Sequence, residues 1–187
     1  MYVALNIRIQ AYRAFVESVL LYNCGTWAAW WALTTSLAEK LDSFQRKLLR
    51  KLMGIKWSDK ISNKTLYNKC NITAASVQVL YARWQLFGHV LILDKDTPAR
   101  QAMASYFMKN YVIGRSGNFC TIATSLSDEY KTVTGRSIKS IDDYNKIVVV
   151  AQNRKDWKEV VESIKEKYIE SQEKKDTKEK DAKRAKD

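Results

Sequence analysis

Apolar residues recur along most of this chain at helical rather than strand spacing. Over residues 6–21, Ile9, Tyr12, Phe15, Val16, Val19 and Leu20 follow three- and four-residue steps, with Arg8 and Arg13 largely outside that stripe. This pattern predicts an amphipathic helix, and Asn23-Cys24-Gly25-Thr26 reads as its exit. A second stripe is the clearest: Leu37, Leu41, Phe44, Leu48 and Leu52. Ser36-Leu37-Ala38-Glu39 before it fits a capping box, in which serine and glutamate each bond the other's backbone amide. Gly54 follows where a left-handed C-cap belongs. Lys40, Lys47, Arg50 and Lys51 fall mainly off the stripe, and Arg50 and Lys51 suit the negative end of the helix dipole.

Further helices are predicted over 63–69 and 76–91, the longer one carrying Val77, Leu80, Trp84, Phe87 and Leu91 on one face. The stretch 94–98 breaks the pattern, and 99–111 reads as another helix. Around Gly114, Gly117 and Asn118 the register changes to a loop. Past it, 121–133 is weakly helical and 142–164 is helical with a break near Val150. From Lys165 the chain holds nine basic and seven acidic residues and almost nothing apolar, the pattern of a solvated helix or a disordered tail. The organisation expected is therefore a helical subdomain over 1–111, a C-terminal helical region over 112–164 and a charged tail over 165–187.

Composition supports an all-α fold, an antiparallel helical bundle with a smaller C-terminal helical piece. One proline and six glycines in 187 residues leave few helix breakers, and 46% apolar content can build a core. The formal charge is +12. The tail contributes only +2 of this, so the basic surplus belongs to the rest of the chain, and polyanions, nucleic acid first, are the partners it attracts. The alternative is a solvated surface with no partner. Cys24, Cys70 and Cys120 are far apart and odd in number, which argues against a disulfide framework or zinc site and for reduced thiols in an intracellular protein, nuclear or cytoplasmic. No signal peptide is visible. No apolar run reaches the roughly 20 residues that span a bilayer, so no membrane partner is expected, and nothing calls for a small molecule or a cofactor.

Catalytic chemistry is not signalled. Asp142-Asp143 is the one adjacent pair of aspartates. It follows Ser140 at the start of a helical stretch, where negative charge favours the helix dipole, and it lacks the aromatic residue of a polymerase metal-binding turn. His89, the lone histidine, has no neighbouring nucleophile, and reads as a packed histidine at a helix end. Of the tryptophans Trp27, Trp30, Trp31, Trp57, Trp84 and Trp157, Trp84 lies on an apolar stripe and reads as core. Trp30 and Trp31 are adjacent and cannot both face inward, so one of them is free to stack on a base. Arg46, Lys47, Arg50, Lys51 and Lys56 form the best group of phosphate contacts; the alternative is an ordinary solvated helix face.

Four stretches, in order, carry a family resemblance. The first runs from Ile9 through Tyr22 to Trp27, with Phe15-Val16-Glu17-Ser18-Val19-Leu20-Leu21-Tyr22 at its centre. The second runs from Leu41 through Phe44-Gln45-Arg46 and Leu49-Arg50 to Gly54-Ile55-Lys56-Trp57. The third is Trp84 with Gly88-His89-Val90, and the fourth is Ala151-Gln152-Asn153-Arg154-Lys155-Asp156-Trp157. Together they resemble the segment that follows the catalytic palm in non-LTR (LINE-type) retrotransposon reverse transcriptases. The resemblance implies a thumb and post-thumb region that holds an RNA template or RNA–DNA duplex without catalysing anything alone, and a polymerase domain placed upstream or supplied in trans. By the same resemblance Arg115 joins the nucleic-acid contacts, in a Gly114-Arg115-Ser116-Gly117-Asn118 loop that lacks the family's proline. Gly25 stands where the family usually has glutamate. The readings from other classes are a helical protein-interaction module and a retroelement remnant with no selected function.

Overall fold

The computed structural model describes residues 3–30, 34–108, 122–138 and 140–184, and all the regular structure in them is helical. The elements are α1 (Leu5–Tyr12), a π-helical turn (Arg13–Glu17), α2 (Ser18–Leu20), α3 (Cys24–Trp30), α4 (Thr35–Met53), a 3₁₀ turn (Trp57–Asp59), α5 (Asn63–Cys70), α6 (Ala75–Ile92), α7 (Pro98–Met108), α8 (Ile122–Thr134), α9 (Ile141–Gln152) and α10 (Arg154–Arg184). The all-α expectation is met. Two compact units divide the chain: Met1–Cys24 with Leu33–Val79, and Gly25–Ala32 with Leu80–Asp187. The division thus falls inside α6 and not at the glycine-containing loop near 112. A break in hydrophobic pattern marks a loop, but one long helix can contribute side chains to two cores.

The first unit buries Tyr12, Leu49, Leu66, Cys70 and Ile72, with Ile9, Val16, Leu48 and Leu52 packed around them. Its helices are closed by local chemistry. The Thr34 side chain accepts from the Leu37 amide at 3.3 Å and starts α4. Ser62 caps α5 by accepting from the Thr65 amide at 3.1 Å. Gly54 and Asn71, in left-handed backbone conformation, end α4 and α5. The capping box predicted at Ser36 is therefore misplaced. Thr34 is the residue in extended conformation with its side-chain oxygen over the first amides, which leaves Ser36 inside the first turn. Arg8 donates to the Leu52 carbonyl and Arg13 to the Asn71 carbonyl, so each guanidinium meets the negative end of a helix.

The buried face of α4 also differs from the apolar stripe. Ala38, Asp42, Gln45 and Leu49 are buried, whereas Leu37 and Phe44 are nearly half exposed. Asp42 and Gln45 face inward because they bond the start of α6. Asp42 Oδ1 accepts from the Ser76 amide at 2.8 Å and Oδ2 from Ser76 Oγ at 2.6 Å. Gln45 Oε1 accepts from the Ala75 amide at 2.7 Å, and its Nε2 donates to the Thr73 carbonyl at 3.2 Å. The first two amides of α6, which have no partner within their own helix, are thus satisfied from α4. In the N-terminal helix, Tyr12 is buried but Phe15 and Val19 are exposed. The π turn at Arg13–Glu17 explains the shift: i→i+5 bonding rotates the following residues out of the stripe's register. The predicted exit at 23–26 is instead a kink at Asn23, with positive φ, followed at once by α3.

The second unit is built around α6, whose Leu80, Trp84, Phe87 and Leu91 are buried as predicted, together with Phe107, Leu126, Ile138, Tyr144, Ile147, Val161 and Ile164. Trp84 Nε1 donates to Glu129 Oε2 at 2.6 Å, and the buried Arg83 pairs with the same carboxylate. Two glycines permit close approach. A Cβ on Gly25 would lie 3.0 Å from the Ala82 carbonyl oxygen, and one on Gly88 would lie 2.1 Å from Trp157 Nε1. Ser140 caps α9, accepting from the Asp143 amide at 3.2 Å, so Asp142 and Asp143 occupy the first helical turn. Asn153 ends α9 and opens α10, its side chain accepting from the Lys155 amide at 3.1 Å. The break thus comes three residues after Val150.

The charged tail does not begin at Lys165. The helix from Arg154 runs on to Arg184, Tyr168 packs on the core, and Lys165 Nζ lies 5.2 Å from the Tyr81 ring centroid. Lys167 donates to the Thr132 carbonyl at 2.5 Å, near the end of α8. Deleting residues 165–187 is therefore expected to cost about 1–2 kcal/mol and to lower Tm by roughly 3–8 °C. Deleting residues 171–187 should leave Tm almost unchanged. Equal losses in a scanning-calorimetry comparison would overturn this division of the tail.

Candidate nucleic-acid interface

Along α4 the cations separate into two groups. Lys40, Lys47 and Lys51 are exposed. Seven- and four-residue steps place them within about 40° of one another around the helix, on the side away from Ala38, Asp42, Gln45 and Leu49. Phe44 lies among them, four residues from Lys40 and three from Lys47, with 48% of its surface exposed. The result is one open helix face that carries an aromatic residue and three lysines.

Arg46 and Arg50 turn toward α5. Arg50 Nη2 donates to Asn63 Oδ1 at 2.7 Å, and Arg46 lies beside Tyr67, 3.5 Å from Ser43 Oγ. Burial pushes the Tyr67 phenol up to about 12; the nearby Asp42 carboxylate adds to the rise and the Arg46 guanidinium opposes it. Both arginines are half-buried, with part of their donor capacity engaged inside the protein. Lys56 is exposed just past the Gly54 cap, where its backbone amide donates to Asp59 Oδ2 at 2.8 Å. Arg115 and its loop lie outside the described residues. Of the six residues expected from the sequence, Lys47 and Lys51 share one open face, Arg46 and Arg50 occupy another, and Lys56 follows the helix end. Lys40 and Phe44 were missed, because Phe44 falls on the apolar stripe and alternation alone assigned it to the core.

The other candidates resolve as structural parts. His89 is exposed in the last turn of α6, so it is not the packed histidine expected; its side favours the dipole end without entering the core. Trp84 and Trp157 are packed, their ring centroids 5.9 Å apart. Trp27 is 37% exposed, while Trp31 and the side chains of Trp30 and Trp57 lie outside what is described. Cys24 and Cys70 are buried, and burial raises the pKa of Cys70. Among the described residues no three His, Cys, Asp or Glu side chains gather as a metal site, and no helix is long and apolar enough to cross a membrane. No protein-family profile, curated protein or solved structure matches this chain.

Proposed function

We propose that this chain is a nucleic-acid-gripping segment of a LINE-type reverse transcriptase, holding an RNA template or RNA–DNA duplex for a polymerase domain located upstream or acting in trans. The observation that carries the reading is the open face of α4, where Lys40, Lys47 and Lys51 share one side of the helix with the exposed Phe44. Ammonium groups bind phosphates as point charges and release condensed counterions, which gives affinity without base identity. An exposed ring among them can stack on an unpaired base or cover a sugar edge. The motif order in the sequence supplies the family, and the charge of the face supplies the chemistry.

Binding to a labelled RNA–DNA hybrid, titrated against salt, tests this reading. Log affinity should fall linearly with log salt. Changing Lys40, Lys47 and Lys51 together to glutamine should flatten the slope by roughly 2–3 units, at about 0.9 per lost phosphate contact. Glutamine retains helix propensity, and all three side chains are exposed, so Tm should hold. Two hybrids of unrelated sequence should lose affinity equally. An unchanged slope in the triple variant would refute this face as the grip.

A further inference from the structure

The outward side of the first helical run is largely apolar, although the chain as a whole is strongly basic. Its three charged residues each bond the protein: Arg8 and Arg13 donate to the Leu52 and Asn71 carbonyls, and Glu17 accepts from Gln78 Nε2 at 2.8 Å. Exposed apolar side chains take their place. Ile7 is 53% exposed, Phe15 78% and Val19 73%. Beside them an open groove of about 520 Å³ runs between this helix and α4, floored by Ala11, Phe15, Val16, Leu48 and Leu52 and edged by Arg8 on the helix side and Lys51 on the α4 side. An apolar, open surface of this kind on one face of a helix pair is a docking geometry.

We infer that this groove receives an amphipathic helix from a protein partner, with its apolar stripe on Ala11, Phe15 and Leu48 and acidic side chains facing Lys51 and Lys47. The charge decides the occupant. Residues 1–79 contain eleven basic and four acidic side chains, so a second copy of this chain would bring like charge to like charge. A nucleic acid would have to cover bare apolar surface, and the helix-side cation, Arg8, is already engaged at the Leu52 carbonyl. A helix with leucines on one face and glutamates on the flank toward α4 meets both halves of the groove. The inference rests on the groove; it shares Lys47 and Lys51 with the face proposed above but not Ala11 or Phe15, the positions its test changes.

The test uses the full chain and two synthetic probes. One is a labelled amphipathic helical peptide with a leucine stripe flanked by glutamates, and the other is the same peptide with lysine for glutamate. The glutamate peptide should bind in the micromolar range by fluorescence anisotropy, and the lysine peptide at least about tenfold more weakly. Phe15→Asp and Ala11→Glu should each weaken the glutamate peptide by roughly tenfold or more. Both positions are exposed, so Tm should stay unchanged and an RNA–DNA hybrid should bind as before. Failure of the glutamate peptide to bind, equal binding of both peptides, or binding that survives both substitutions would overturn the inference. Concentration-dependent dimerisation in sedimentation, abolished by Phe15→Asp, would also overturn it by assigning the groove to a second copy.

Discussion

Replacing Gly88 with alanine should destabilise the second unit by about 3 kcal/mol, the upper end of overpacking costs. Helix propensity alone argues the opposite, because alanine in a helix interior is favoured over glycine by about 1 kcal/mol. Contact geometry decides the sign. The added carbon would lie 2.1 Å from Trp157 Nε1, 2.5 Å from Cε2 and 2.9 Å from Cδ1. The indole cannot easily retreat, since its ring lies 5.9 Å from that of Trp84 and 6.0 Å from that of Phe87. Trp157→Leu removes the obstacle, so in that background Gly88→Ala should become neutral or stabilising. Urea denaturation of the four proteins measures the coupling. If Gly88→Ala stabilises the chain that retains Trp157, the close approach is not what holds this glycine in place.

That pair also shows what the resemblance could and could not supply. Gly88-His89 and Asn153-Arg154-Lys155-Asp156-Trp157 are two of the stretches that suggested the family. Nothing in the sequence says that Gly88 and Trp157, 69 positions apart, touch. In the structure they form one packing contact, which gives these two motif residues a structural role. Helix positions were legible wherever apolar periodicity ran into a clear cap, as at Gly54 and Ser140. They were illegible where a π turn changed the register after Tyr12, and where the charged helix kept packing through Tyr168. Periodicity assumes a constant 3.6 residues per turn, and charge density says nothing about one tyrosine that reaches a core.

The candidate interface was legible as a basic helix but not as a face. Five cations at or near the end of α4 looked equivalent by type. Asn63 and Tyr67, supplied by α5, draw Arg50 and Arg46 aside and leave the lysines outward. The same rotation brings Phe44 into the open. It follows from buried Asp42 and Gln45, two polar residues that any hydrophobic pattern assigns to the surface.

Asp42→Ala should therefore cost more than Phe44→Ala, the reverse of the order that the apolar stripe implies. Asp42 accepts two bonds from Ser76, at 2.8 and 2.6 Å, and Ser76 is fully buried. Its charge also faces the positive end of α6. Removing the carboxylate leaves a buried amide and a buried hydroxyl without it, at about 1–3 kcal/mol each, so a total of about 2–6 kcal/mol is expected. Asp42→Asn keeps an acceptor for the amide and can donate to Ser76 Oγ, so it should cost about 1 kcal/mol, the loss of charge assistance. Adding Ser76→Ala to Asp42→Ala should cost less than the sum of the two single changes, because the hydroxyl that would be stranded is gone. Phe44→Ala, at a side chain nearly half exposed, should cost under about 1.5 kcal/mol. Chemical denaturation of these variants yields the ordering directly. If Phe44→Ala proves the more damaging, the apolar stripe and not the polar pair faces the core, and the open basic face on α4 falls with it.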